Sequence, residues 1–231
     1  VIWAVLRQEL DRQHGRTLAV LDVGGGTGGF AVPLAEAGHR VTVVDASPDA
    51  LAALTRRAAE AGVADRVRAV QGDGDDLGGW VAPASVDLVL CHAVLEVVDD
   101  PEAVVGALAA ALRPGGAASV LVAGRAAAVL ARATAGQLAA AATMLADPDG
   151  RAGPRDTLRR RYDPDGATAL LHAAGLHVEE VHGVRALTDL LPAAVAEGDQ
   201  RALLDLELAV ASRPPYREIA AQLHLFARRT P

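Results

Sequence analysis

LDVGGGTGGF, residues 21–30, is the segment from which the architecture of this chain can be read. The run TLAVLDV, 17–23, is short, apolar and rich in β-branched residues, so it reads as a buried strand. GGFAVPLAEAGHR then supplies a helix that stops at Gly38. Glycines 24, 26 and 29 satisfy G-x-G-x-x-G, and glycines 24, 26 and 28 equally satisfy G-x-G-x-G. Glycine suits such a turn because the chain swings sharply from strand to helix and a ligand approaches the bare backbone. The rival reading is a glycine-rich turn in a glycine-rich protein. Against it stands Asp45, which closes a second buried strand, VTVVD at 41–45, at the distance expected of a carboxylate that binds ribose hydroxyls.

The same alternation extends in both directions. VIWAVLRQELDRQ places apolar residues at helical spacing ahead of the first strand. Ser47-Pro48 starts a helix that runs through LAALTRRAAEA to Gly62, with Ser47 as cap and Pro48 in the first turn. RVRAV (66–70) and SVDLVLC (85–91) read as strands, PEAVVGALAAALRPGG (101–116) as a helix ended by Pro-Gly-Gly, and AASVLVA as a further strand. Apolar strands alternating with helices indicate a parallel sheet covered on both sides, an α/β fold. Beyond 125 the rhythm changes: an alanine-rich helix at 125–146, a polar segment at 147–165, a short helix, the strand HVEEVHGVRAL, the helix ALLDLELAVA and the alternating strand QLHLFARR. These last strands fit an antiparallel hairpin at the sheet edge. One domain over 1–231 is expected, with a helical and loop insertion at about 125–165.

Composition narrows the function. The 231 residues are 51% apolar and carry a formal charge of −7, which disfavours disorder and a basic coat for nucleic acid. A single cysteine excludes an internal disulfide framework and a cysteine-rich zinc site, and no metal is expected. No long apolar stretch suggests a membrane span, and no signal peptide is visible, so the expected place is the cytoplasm. The chain starts at Val1, so an N-terminal piece is expected to precede it. All 22 basic residues are arginine, which excludes any role needing a lysine amine, such as a Schiff base or a Walker-type phosphate lysine.

Asp22, two residues before Gly24, bears on the choice of ligand. A carboxylate there would repel a pyrophosphate and favour an ammonium group, which tilts the reading from a nicotinamide cofactor towards S-adenosylmethionine. QGDGDDL, 71–77, adds Asp73, which can accept from an adenine amino group, and Gly74, whose backbone can approach the ring; a solvated acidic turn is the alternative.

Taken together, LDVGGGTGGF, VTVVDASP, GDGDDL and LRPGG resemble the signature blocks of class I S-adenosylmethionine-dependent methyltransferases. The resemblance implies a Rossmann-like, seven-stranded, mostly parallel sheet of order 3-2-1-4-5-7-6, with the seventh strand antiparallel and helices on both faces. It implies that Asp22 and Gly24 border the methionine end, with Gly25, Gly26 and Gly28 in the same turn. Asp45, followed by Ala46, would hold the ribose, and Asp73 and Gly74 would meet the adenine.

Ligands of open α/β sheets sit at the carboxyl ends of the strands, so Cys91, His92 and Glu96 are expected at the site or the start of its wall. His92 reads either as a catalytic base or as part of the cofactor wall, and Cys91 as the buried end of the strand. CHAVLEVVDDP (91–101), HGVRALTDLL (182–191) and ALLDLELAVASRPPYREIAAQLHLFARR (202–229) are also similar to the family that esterifies 5-carboxymethoxyuridine at the tRNA wobble position. Val97 departs from it, standing where that family tends to have tryptophan. The segment RAGPRDTLRRR, 151–161, holds five arginines against one aspartate, a local +4 in an acidic chain. Arg159, Arg160 and Arg161 are therefore candidates for phosphate contacts, and a solvated arginine loop is the alternative. Arg185 and Tyr216 are candidates for gripping a carboxylate or nucleotide. The expected partner is tRNA, or else a small carboxylic-acid or hydroxyl metabolite, with the protein a monomer or homodimer; a nicotinamide-binding oxidoreductase is the remaining alternative.

Overall fold

The computed structural model describes residues 1–192, 195 and 198–230. A seven-stranded sheet carries the molecule, ordered β3-β2-β1-β4-β5-β7-β6. Its strands are β1 (Ala19–Val23), β2 (Arg40–Asp45), β3 (Val67–Gln71), β4 (Val86–His92), β5 (Leu112–Ala123), β6 (Leu176–Val184) and β7 (Gln222–Arg229). The pairs among β1 to β5 are parallel, whereas β7 runs antiparallel to both neighbours, β5 and β6. The expected order and the antiparallel seventh strand are both observed.

Helices cover the two faces. Among the described residues these are α1 (Ile2–Arg12), α2 (Ala31–Glu36), α3 (Pro48–Glu60), α4 (Pro101–Ala111), α5 (Arg125–Thr134), α6 (Leu138–Ala146), α7 (Pro164–Ala173) and α8 (Gln200–Val210). One core layer packs Val5 and Leu6 of α1, Leu34 of α2 and Leu54 of α3 against Leu88 and Leu90 of β4. The other packs Val104 and Leu108 of α4 and Leu171 of α7 against Val89, Val120 and Leu225. Alternate residues of β4 thus serve opposite layers, which is why the whole strand is apolar.

Helix starts follow local chemistry. Ser47 Oγ accepts from Ala50 N ahead of Pro48, as expected, and Asp100, Asp163 and Asp199 cap α4, α7 and α8 in the same way. Each such cap contributes about 1 kcal/mol. The expected helix 101–116 is shorter: α4 ends at Ala111, and Arg113, Pro114 and Gly115 already belong to β5. Proline and glycine fall inside the strand rather than at the helix end, and a strand irregularity accommodates them, the β4–β5 register slipping between Val86 and Leu88. The expected helix 125–146 is two helices, broken where Gly136 takes φ +75°. β3 is an edge strand with Arg68, Ala69 and Gln71 exposed, so it is not apolar on both faces. No helix of the described residues is long and apolar enough to cross a membrane.

The connection from β1 leads outward to β2 and β3, and the chain then returns to place β4 on the other side of β1. Between β1 and β4 the carboxyl ends of the strands therefore open into a crevice.

Candidate active site

A cleft of about 530 Å³ fills that crevice. Val23 and Gly24 form one end, Asp45 and Ala46 follow β2, and Gly72 to Asp75 follow β3. The opposite wall is Ala93, Val94, Val97 and Val98, behind which lies Val104 of α4.

The glycine turn is shaped by close approach. Gly24 has φ +69°, its N–H donates to Val44 O at 2.8 Å, and a Cβ there would stand 2.3 Å from Val94 Cγ2. At Gly25 a Cβ would fall 2.5 Å from Asp22 Oδ2. Gly28 faces elsewhere, against Leu54 of α3, where it lets the turn pack on that helix. Gly26 N donates to Asp45 Oδ2 at 2.9 Å and Ser47 N to Asp45 Oδ1 at 2.8 Å, so the carboxylate is oriented by two backbone amides. Each oxygen keeps a lone pair for a ligand hydroxyl.

Asp22 lies directly beneath this turn, 2% exposed, and its Oδ2 has no hydrogen-bond partner among the described residues. Burial, reinforced by the nearby charge of Asp45, pushes its carboxyl up to about 7. A buried carboxylate without a partner is costly, and a cation brought against it would repay that cost. The cleft continues the theme. Asp45, Asp73, Asp75, Asp99 and Asp100 line it, and no described lining residue is basic. Such a surface repels a pyrophosphate and suits an adenosine ligand that carries ammonium and sulfonium charges. The group implied by the sequence fits this donor set.

Cys91 and His92 end β4 but neither lines this cleft. Cys91 is fully buried, and its thiol is raised by burial first and by Glu96 and Asp22 second, so it is inert. His92 Nε2 lies 2.9 Å from Ser119 Oγ, and the same hydroxyl lies 2.8 Å from His224 Nε2. Burial lowers His92 to about 4 and His224 to about 3, so both rings are neutral near pH 7. Glu96 is 4% exposed with Oε2 unpartnered, and burial raises its pKa.

The arginine segment is not a free cationic strip: part of it is paired, as the alternative reading of a solvated loop with pairing to nearby acids has it. Arg161 makes a two-point pair with Asp156 at 2.8 and 3.0 Å and also donates to Gly150 O. Arg160 donates to the carbonyls of Leu95, Val98 and Asp99. Arg159 pairs with Asp99 at 2.5 Å. Arg160 thus clamps the turn 95–99 that walls the cleft, through backbone carbonyls that no sequence pattern reports, while Arg159 meets the same turn through the side chain of Asp99. Arg159 and Arg155 remain exposed. Tyr216 is 43% exposed, in the short turn Tyr216–Ile219, and lines neither of the two larger cavities.

Arg185 lines a second cavity, of about 490 Å³, with Ala123 and Gly124 from the end of β5 and Ala127, Ala128 and Ala131 from α5. Glu207, which sequence reasoning passed over inside an apolar-periodic helix, shapes this region: its carboxylate accepts from Ala186 N, Leu187 N, Thr188 N and Thr188 Oγ1 at 2.7 to 2.9 Å.

Known proteins resemble the chain in the same terms. Residues 20–116 match the family model described as a methyltransferase domain. The tRNA 5-carboxymethoxyuridine methyltransferase of Escherichia coli (strain K12) is 32% identical over 231 residues, covering 98% of this chain and 87% of the relative. A ubiquinone biosynthesis O-methyltransferase of Xylella fastidiosa (strain 9a5c) is 35% identical, covering 72% of this chain and 63% of that protein. Among solved structures, magnesium protoporphyrin IX methyltransferase from Synechocystis PCC 6803, with bound S-adenosylhomocysteine, superposes with a TM-score of 0.66 at 16% identity over 99% of this chain and 82% of that one.

Proposed function

The chain belongs to the class I S-adenosylmethionine-dependent methyltransferases, and from that premise we propose that it esterifies the carboxylate of 5-carboxymethoxyuridine at the wobble position of tRNA. The observation that carries this acceptor is the reach of the likeness. Similarity to the tRNA enzyme continues through β6, α8 and β7, well beyond the part that every protein of this fold needs to hold the cofactor.

The bound cofactor supplies a methyl group activated by sulfonium. Asp45 binds the ribose hydroxyls, Asp22 balances the ammonium, and Ala46, Asp73 and Gly74 flank the adenine. Gly24 and Gly25 keep the backbone low enough for the ligand to reach Asp22. A carboxylate acceptor is already nucleophilic, so no proton has to be removed and the chain contributes alignment and exclusion of water. Neutral, hydrogen-bonded His92 suits that role better than that of a base, because a ring held near pKa 4 takes up protons poorly at neutral pH. Arg159, exposed and paired with Asp99 of the cleft wall, and the exposed Arg155 are the candidate phosphate contacts and position the RNA without reading it.

A small carboxylic-acid or hydroxyl metabolite is the second reading, favoured by the alanine face of α5 over the second cavity. Incubation with methyl-labelled cofactor and, in parallel, total tRNA or a metabolite extract separates the two. Label in tRNA supports the first reading; label only in the extract overturns it.

A further inference from the structure

We propose that the cavity of about 490 Å³ between α5 and the loop after β6 seats the carboxylate of the methyl acceptor, with Arg185 as its ligand, Glu207 as the residue that positions Arg185, and Asp189 as a stand-in carboxylate that the acceptor displaces. The inference rests on the carboxylate-ester reading above and names the site that reading requires.

Arg185 is a non-glycine residue with φ +58°. That left-handed conformation costs about 1 kcal/mol for a residue with a side chain, so the surroundings must impose it. They do. The carbonyl of Arg185 accepts from Ala221 N, and the next three amides, of Ala186, Leu187 and Thr188, all turn onto the carboxylate of Glu207. The Thr188 hydroxyl adds a fourth bond at 2.7 Å. Burial opposes the charge on Glu207, yet the bonds from Thr188, Leu187 and Ala186 outweigh it and hold its pKa below the usual value. One buried anion thereby fixes the loop on which Arg185 stands.

The guanidinium is held loosely by comparison. Nε and Nη2 both bond a single oxygen of Asp189, at 3.0 and 2.6 Å, so the two-oxygen fork that arginine forms best with a carboxylate is not made. The pair is also exposed, with 56% and 38% of the side chains accessible, where ion pairs are worth about 0–1 kcal/mol. A ligand carboxylate offering both oxygens can replace it. The other cation lining the cavity, Arg161, is committed to Asp156 and Gly150 O and is not exchangeable in this way. Alanines of α5, with Leu158 and Ile219, give the apolar wall on which a pyrimidine ring can lie. The placement suits transfer as well. Ala123 and Gly124 end β5, and Leu121 of the same strand accepts from the amide of Ala93 in the cofactor cleft at 2.9 Å, so the two cavities lie at neighbouring strand ends.

The test is titration of the nucleoside 5-carboxymethoxyuridine into protein saturated with S-adenosylhomocysteine, alongside KM and kcat with tRNA carrying that nucleoside. Arg185→Ala should weaken nucleoside binding or raise KM at least tenfold, Arg185→Lys should recover part of the loss, and Asp189→Asn should tighten binding severalfold. Glu207→Gln should behave like Arg185→Ala while the affinity for S-adenosylhomocysteine stays unchanged, which shows that the fold persists. The methyl ester, lacking the charge, should bind wild type and Arg185→Ala alike. If wild type methylates the tRNA and Arg185→Ala does so with unchanged KM, the carboxylate seat is wrong and the esterification reading stands. If wild type binds the nucleoside through Arg185 but transfers no methyl group to the tRNA, the seat stands and the esterification reading falls. Neither binding nor transfer overturns both.

Discussion

Asp22 is buried with one oxygen unpartnered, and its folded carboxyl gives up its proton only near pH 7. Between about 3.8, the ordinary value, and about 7 the folded state holds a proton that the unfolded state has lost, so raising the pH through that window costs stability in the absence of ligand. An ammonium group binds the ionised form. Affinity for S-adenosylhomocysteine, which carries that group, should therefore fall as pH drops below 7, by up to about tenfold per pH unit. Calorimetry across pH 5.5–8 checks this, and Asp22→Asn should remove the slope; a slope that persists in the variant would assign it to another group. The histidines act in the opposite sense. His92 and His224 are neutral in the fold at values of about 4 and 3, whereas unfolded they take up protons near 6.5, so their contribution to stability is lost as pH falls through 6.5 towards 4. Melting temperature should drop over pH 6.5–5, and less steeply in His92→Gln; equal slopes for the two proteins would count against a buried neutral ring. Asp45→Ala removes the proposed ribose ligand and the acceptor of two backbone amides together. Cofactor affinity should fall about tenfold to a hundredfold, the equivalent of one or two charge-assisted hydrogen bonds, and titration at pH 8 reads it directly.

At the scale of the elements, the glycine turn and the arginine segment show what a sequence can and cannot disclose. Gly24, Asp45 and the strand–turn–helix unit were legible because each is demanded locally, by backbone geometry or by spacing. Gly24→Ala meets both a left-handed backbone and Val94 at 2.3 Å, so it should abolish measurable cofactor binding, and relieving the contact with Val94→Ala should restore it only in part because the backbone strain remains. A fully active Gly24→Ala protein would contradict this reading of the turn. For the arginines the sequence leaves two readings, phosphate contacts or a solvated loop paired with nearby acids, for the converse reason. Their partners are carbonyls at 95–99 and Asp156, and charge alone does not tell a committed guanidinium from a free one. Arg160→Ala should leave the carbonyls of Val98 and Asp99 without their side-chain donor, Leu95 O keeping the Tyr162 hydroxyl, cost about 1–3 kcal/mol and speed amide exchange over 94–100, whereas an RNA-contact role alone would leave exchange there unaltered. Glu207 escaped notice because a buried carboxylate that serves backbone amides has no signature beyond a charge on a helical apolar face. The break at Gly136 is missed by a reading that takes 125–146 as one helix, and the helix read as 101–116 stops at Ala111, because where a helix stops and a strand begins is settled by sheet pairing, which is long-range information.

On the scale of the whole molecule, the sheet order sets the crevice between β1 and β4, and charge selects what enters it. The net −7 counts surface carboxylates together with five that line the cleft, and that wall favours a cationic cofactor over a dinucleotide. The acidic total does not disfavour RNA, because Arg159 and Arg185 are exposed at the two cavities and Arg155 is exposed as well. The absence of lysine has no structural account. The central claim is that a methyl group passes from the cofactor cleft to a carboxylate on tRNA, and nucleoside mass spectrometry of the wobble position tests it most directly. After incubation of tRNA carrying 5-carboxymethoxyuridine with the protein and S-adenosylmethionine, the account predicts a nucleoside heavier by one methylene, returned to the acid by mild alkali. An unchanged acid, or a methyl group that survives alkali, would contradict it.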